Sequence, residues 1–119
     1  MGTVYRLLTV GSAHQTGFGL QLEPTVKLRH LHQAQPGEPM PYHGDEVELR
    51  LPDGTTRTAY ISAFGIEAWQ ERGVLFTRSD PKDPSLTLTL AGGLVPEAAP
   101  PGTEIWFIGK PQRDEDRTG

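Results

Sequence analysis

Two histidines separated by one residue, His30 and His32, come nearest to a metal-site spacing in this chain. On a β-strand, positions i and i+2 face the same way, so both imidazoles could reach one ion. A third ligand would have to come from a loop, through His14 or His43. No Asp, Glu or Cys stands at a fixed spacing to complete the set, so the pair is read as ordinary hydrogen-bonding strand residues. A metal enzyme built on His30 and His32 is the reading set against it.

The next candidates are carboxylates. Asp45, Glu46 and Glu48 sit close in sequence, and Glu46 and Glu48 would share one face of a strand. General acid–base work needs such groups in a cleft, and nothing in the surrounding residues argues for one. Arg50 falls on the same face and damps their repulsion. No Gly-x-Ser-x-Gly elbow and no GxxxxGK[ST] phosphate loop occurs. No catalytic residue, metal or cofactor is assigned, and the chain reads as a non-enzyme.

Aromatic residues remain as the means of contact. Trp69 and Trp106 stand out, because aromatics bury much area at low entropy cost and anchor interfaces. Trp106 lies between Ile105 and Phe107, so alternation must leave an aromatic on the outer face. Phe64, Trp69, Trp106, Tyr42, His30 and His32 are the candidate partner-binding residues, and the Pro-rich loop 34–42 joins them.

These residues need a scaffold. The chain has 119 residues, enough for one domain with a modest core. It has no cysteine, which excludes disulfides and thiolate zinc sites. A net charge of −4 with mixed signs argues against non-specific nucleic-acid binding. No apolar run is long enough to span a bilayer, and the run Leu7–Val10 ends too soon for a signal peptide. A cytoplasmic protein is expected.

Eleven prolines and 14 glycines suit many short strands. The clearest lies at 43–54, where Val47, Leu49 and Leu51 point inward and Glu46, Glu48 and Arg50 outward. Asp53-Gly54 predicts a type I′ hairpin turn, returning as a strand over 55–64. There the inward set is either Ala59 and Ile61 or, one residue out of step, Tyr60 and Phe64. Other strands are predicted over 3–10, over 17–22 with Phe18, Leu20 and Leu22 on one face, over 25–32, and over 74–76. Two more are predicted over 85–90 and 103–108. Residues 65–72 could form a helical turn, and 110–119 read as a disordered polar tail after a single domain over 1–109. Together these predict an all-β fold, a small closed antiparallel β-barrel of six to eight strands, since closure removes exposed edges.

The order of motifs resembles the second domain of translational GTPases, the β-barrel of elongation factor Tu. Gly44-Asp45-Glu46-Val47-Glu48-Leu49 is similar to that family's "x-x-G-D-x-V-x-[LI]" strand, and Ala59–Phe64 to its strand ending in Phe. Ser85 through Trp106 is similar to its closing strands. The likeness covers about residues 15–108. It implies the barrel alone, because the positions that line the family's aminoacyl pocket read Ser62 and Ser85 here, and Phe64 alone is kept. The function expected is a stand-alone binding module for a protein partner, with an RNA- or ribosome-associated factor as the alternative, its strand Lys27-Arg29-His30-His32 facing phosphate. The oligomeric state is not legible.

Overall fold

Apolar alternation becomes strand pairing along most of the chain. The computed structural model describes residues 4–34, 41–66, 68–77 and 82–109. Most of the Pro-rich loop (35–40) and the tail 110–119 lie outside the described residues. The strands are β1 (Tyr5–Thr9), β2 (Ser12–Thr16), β3 (Gly19–Lys27), β4 (Glu46–Arg50), β5 (Thr56–Gly65), β6 (Ala68–Glu71), β7 (Val74–Thr77), β8 (Ser85–Leu90) and β9 (Glu104–Gly109). One helix, α1 (Leu28–Ala34), and a 3₁₀ turn at Pro96–Ala98 complete the described elements.

Seven strands form one antiparallel sheet in the order β1-β9-β4-β5-β8-β3-β2, and β6 pairs with β7 as a separate hairpin. The all-β class holds, but the sheet curls into an open half-barrel and not a closed barrel. Its two edges meet at one corner of the N-terminal segment. There the Val10 N–H donates to the Thr103 carbonyl and the Gly11 N–H to the Glu23 carbonyl, each at 2.7 Å. Beyond that corner β1 and β3 run side by side without pairing. Pairing of β3 with β8 is interrupted between Leu22 and Val26, around a proline that has no N–H to give, and that of β1 with β9 between Arg6 and Leu8. A closed ladder needs matched edges, and these two are both bent.

The core sits inside the curl. Leu20, Leu22, Val47, Leu49, Leu88, Leu90 and Ile105 are fully buried, joined by Ile61, Leu7 and Leu8. Leu7 and Leu8 are neighbours in sequence yet both point inward, because the irregularity in β1 shifts the alternation there. The β4–β5 register settles the choice in the return strand. Val47 stands opposite Ala59 and Glu46 opposite Tyr60, so Ala59 and Ile61 are inside and Tyr60 is out.

Several local expectations are corrected. Residues 28–34 are helical where a strand over 25–32 was expected. Leu28 and Leu31 explain it: three apart, they share a face on a helix but oppose each other on a strand. Leu31 is buried and Leu28 packs against the core. The segment 12–16, outside the predicted strands, is β2, paired with β3. The expected helical turn at 65–72 gives way to β6. The hairpin after Leu51 has a three-residue loop: Gly54 N–H donates to the Leu51 carbonyl at 3.0 Å, and Leu51 N–H to the Thr55 carbonyl at 2.8 Å. Only Gly54 of the Asp53-Gly54 pair has positive φ, so the turn is not type I′. Arg72 and Gly73, with φ of 53° and 80°, make a turn of that kind between β6 and β7.

Candidate functional site

Ser62, on β5, gathers one end of the half-barrel. Its hydroxyl donates to the Phe18 carbonyl at 2.6 Å, and its own carbonyl accepts from His43 Nδ1 at 2.8 Å. The first bond holds the β2–β3 turn, and the second holds the loop before β4. A neighbouring bond from Ala91 N–H to the Tyr60 carbonyl, 2.8 Å, ties in the loop after β8. Three loops far apart in sequence are thus fastened to two residues of one strand, Tyr60 and Ser62.

Each loop is also braced from within. The Thr16 hydroxyl donates to the Gly19 carbonyl and accepts from the Phe18 N–H, at 3.2 and 3.1 Å, closing the β2–β3 turn. Asp45 is buried, and its Oδ2 accepts the Tyr42 N–H at 2.9 Å while its own N–H donates to the Tyr42 carbonyl at 3.0 Å. That reciprocal pair fixes where Tyr42 leaves the loop. Gln15 Nε2 donates to the Leu94 carbonyl at 3.0 Å and links the glycine-rich loops 16–19 and 91–94. Between these two loops lies an open cleft of about 480 Å³, lined by Gln15 to Gly19 and Ala91 to Leu94.

The side chains this frame presents are aromatic. Phe18 is 79% exposed, Tyr42 70% and Tyr60 45%. Phe18 was expected on the buried face with Leu20 and Leu22. It lies instead in the turn before β3, outside the strand's alternation. Sequence reasoning passed over Phe18 and Tyr60, and Phe18 between two glycines in a hairpin loop was the available signal.

The other candidates scatter. Phe64 is half-buried and packs against the core. Trp106 is half-buried on the outer face of β9, with the Arg50 guanidinium 4.1 Å from its ring centre and its Nε1–H donating to Glu104 at 2.9 Å. Arg50 also donates to Glu48 Oε1 at 2.7 Å, so it sits between the acid and the ring. Trp69 stands opposite Phe76 in the β6–β7 register, but its side chain lies outside what is described.

His30 and His32 do not share a face. Two helical positions differ by about 200° around the axis, so the strand geometry behind the metal reading is gone. His30 Nε2–H donates to the Arg6 carbonyl at 2.8 Å, while His32 is exposed beside Arg29, Lys82 and Asp83. No group of three potential ligands occurs among the described residues. The cations of the phosphate-facing reading are partly engaged: Asp83 pairs with Arg29 at 3.0 Å and with Lys27 at 3.6 Å.

Tyr5 carries the one large electrostatic perturbation among the described residues. Burial, with a smaller contribution from the Asp45 carboxylate, pushes its phenol up to about 12. Its ring packs on Phe107 with centroids 5.3 Å apart, a structural contact inside the curl. No helix among the described residues is long and apolar enough to cross a membrane. No protein-family model, no curated protein and no solved structure matches this chain.

Proposed function

We propose that this protein is a non-enzymatic binding module that engages a protein partner through the loop end of its half-barrel. Phe18, Tyr42 and Tyr60 supply the aromatic contacts, and the bond between Ser62 and the Phe18 carbonyl is the observation that carries the reading. Large aromatic side chains held in water by braced turns have already lost much of the freedom that binding would remove. They bury a large area with few rotatable bonds, the property that makes them interface anchors. The motifs similar to the second domain of translational GTPases fall on β4, β5 and β8–β9, all within one stretch of the sheet. That neighbourhood supports a translation-factor-like scaffold used for binding. The RNA reading has less support, since Asp83 engages two of its cations.

The test is affinity capture with the intact protein and the double variant Phe18→Ser/Tyr42→Ser. Both positions are exposed, so the variant should melt within a few degrees of the parent, its stability changing by about 0.5 kcal/mol. The expected result is a partner retained by the parent and lost by the double variant. Equal retention by both would remove these aromatics from the interface, and retention of RNA in place of protein would favour the alternative.

A further inference from the structure

The β6–β7 hairpin takes no part in the curl or in the loop end. It is a sheet of its own, four residues to a strand, inserted between β5 and β8. No other strand of the described residues pairs with it, and no other element packs extensively against it. A ribbon of two short strands is marginal in water by itself, and a third strand or a packed face is what stabilises one. This ribbon carries apolar surface into solvent. Val74 is 53% exposed and Phe76 42%, and Ile66 at its base is exposed as well.

The register of the hairpin fixes which backbone groups lead outward. Glu71 stands opposite Val74 across the turn at Arg72-Gly73, and Gln70 stands opposite Leu75. In a two-residue hairpin the pair closing the turn exchanges both hydrogen bonds, and bonded and non-bonded pairs then alternate. Gln70 and Leu75 are therefore a non-bonded pair. Leu75 sends its N–H and carbonyl away from β6, and Gln70 sends its own away from β7.

The two edges differ in charge. β7 reads Val74-Leu75-Phe76-Thr77, with neither a charged residue nor a proline to guard it. β6 carries Glu71, and a copy of β6 paired about Gln70 would set the two copies of Glu71 diagonal to each other, a repulsive arrangement. An antiparallel copy of β7 centred on Leu75 meets no such penalty. It places Val74 of each chain directly opposite Phe76 of the other, in the non-bonded position where opposed side chains come closest.

We propose that a second copy of this chain covers the hairpin, β7 pairing with β7 about a two-fold axis at Leu75 to give a four-stranded ribbon. The Leu75 N–H of each copy donates to the Leu75 carbonyl of the other, and the Val74–Phe76 contacts flank that pair. Such an interface is isologous, so a single edge serves both partners. Pairing over four residues buries well under the roughly 800 Å² per partner of a standard interface, so a dissociation constant of about 10–100 μM is expected. The ribbon uses none of the loop-end aromatics and stands whether or not that end binds a protein.

Sedimentation velocity on the intact protein between about 5 and 500 μM should show a reversible monomer–dimer equilibrium. Leu75→Pro removes an N–H that leads away from β6, so the hairpin keeps its own ladder while the dimer is lost. Gln70→Pro does the same to the other edge and should leave the dimer as in the parent. The chain has no cysteine, so single cysteine variants report the axis directly. The Cα atoms of a hydrogen-bonded pair lie about 5.5 Å apart, within disulfide range, so mild oxidation of Leu75→Cys should link two chains. Gln70→Cys should link at least about tenfold more slowly. The proposal is overturned by a parent that stays monomeric throughout, which would leave the hairpin to a different protein. It is overturned too by a dimer that Leu75→Pro does not weaken, or by equal cross-linking of the two cysteine variants. The cysteine variants keep every backbone N–H of the ribbon, so they decide the matter even where both prolines unfold the hairpin.

Discussion

The Ser62 hydroxyl donates a 2.6 Å hydrogen bond to the carbonyl of Phe18, 44 residues earlier in the chain. That bond ties the most exposed large aromatic of the described residues to the one strand, β5, that also holds the loops at His43 and Ala91. The loop end is therefore a consequence of how β5 is placed, and it can be perturbed without touching the core.

Ser62→Ala should cost about 0.5–1.5 kcal/mol in urea denaturation, the net worth of one hydrogen bond. The loss should be local as well. Hydrogen exchange at the amides of the β2–β3 turn should speed up while that of β4 does not. Uniform acceleration would show that the bond matters to the whole fold and not to the turn.

Two glycines of that same turn should behave oppositely. Gly19 has φ of +135°, and a Cβ there would land on the Leu90 carbonyl oxygen, so Gly19→Ala should abolish folding or cost several kcal/mol. Gly17 has open space and no positive φ, so Gly17→Ala should fall within about 1 kcal/mol of the parent. Thermal melts of the pair make the comparison.

Leu49→Ala removes a fully buried side chain from the strand opposite Ile105 and should cost about 2–5 kcal/mol. A denaturant midpoint shifted at constant slope would show it. A change below about 1 kcal/mol would mean that the curl is not packed around β4.

Tyr5 sets an alkaline limit. Its phenol titrates near 12 in the fold and near 10 when unfolded, so its contribution is complete below 10 and is lost as pH rises from 10 towards 12. The amount at stake is roughly 1–3 kcal/mol. Denaturation across that window, with phenolate absorbance followed in parallel, should show a steeper fall for the parent than for Tyr5→Phe. Equal slopes would put the loss on other groups.

Arg50 covers Trp106 and bonds Glu48, so Arg50→Ala should remove about 1 kcal/mol and shift the tryptophan fluorescence to the red. An unmoved spectrum would mean the indole is sheltered by β9 alone.

Alternation made parts of this structure legible at the outset. The runs Val47-Leu49 and Leu86-Leu88-Leu90 had to be half-buried strands, and Leu51-Pro52-Asp53-Gly54 had to reverse the chain. The outward Glu48 and Arg50 were legible for the same reason, because a period of two assigns each side chain a face without reference to any other strand. The absence of cysteine likewise required a core held by packing alone.

Contacts distant in sequence decided the rest. Leu28 and Leu31 turned a predicted strand into α1 because a helix lets both reach the core, which depends on where that core lies. The bend at Pro24 and the irregularity at Leu7 kept β1 and β3 from pairing, and neither can be read as an opening until both edges are placed. Phe18 went outward, since the hairpin put it beyond the last inward position. Periodicity is a property of a few consecutive residues, whereas the meeting of two edges is a property of accumulated register around the whole sheet. Local pattern therefore settled the strands and most of their faces, and the sum of the registers settled the open seam and the aromatic end.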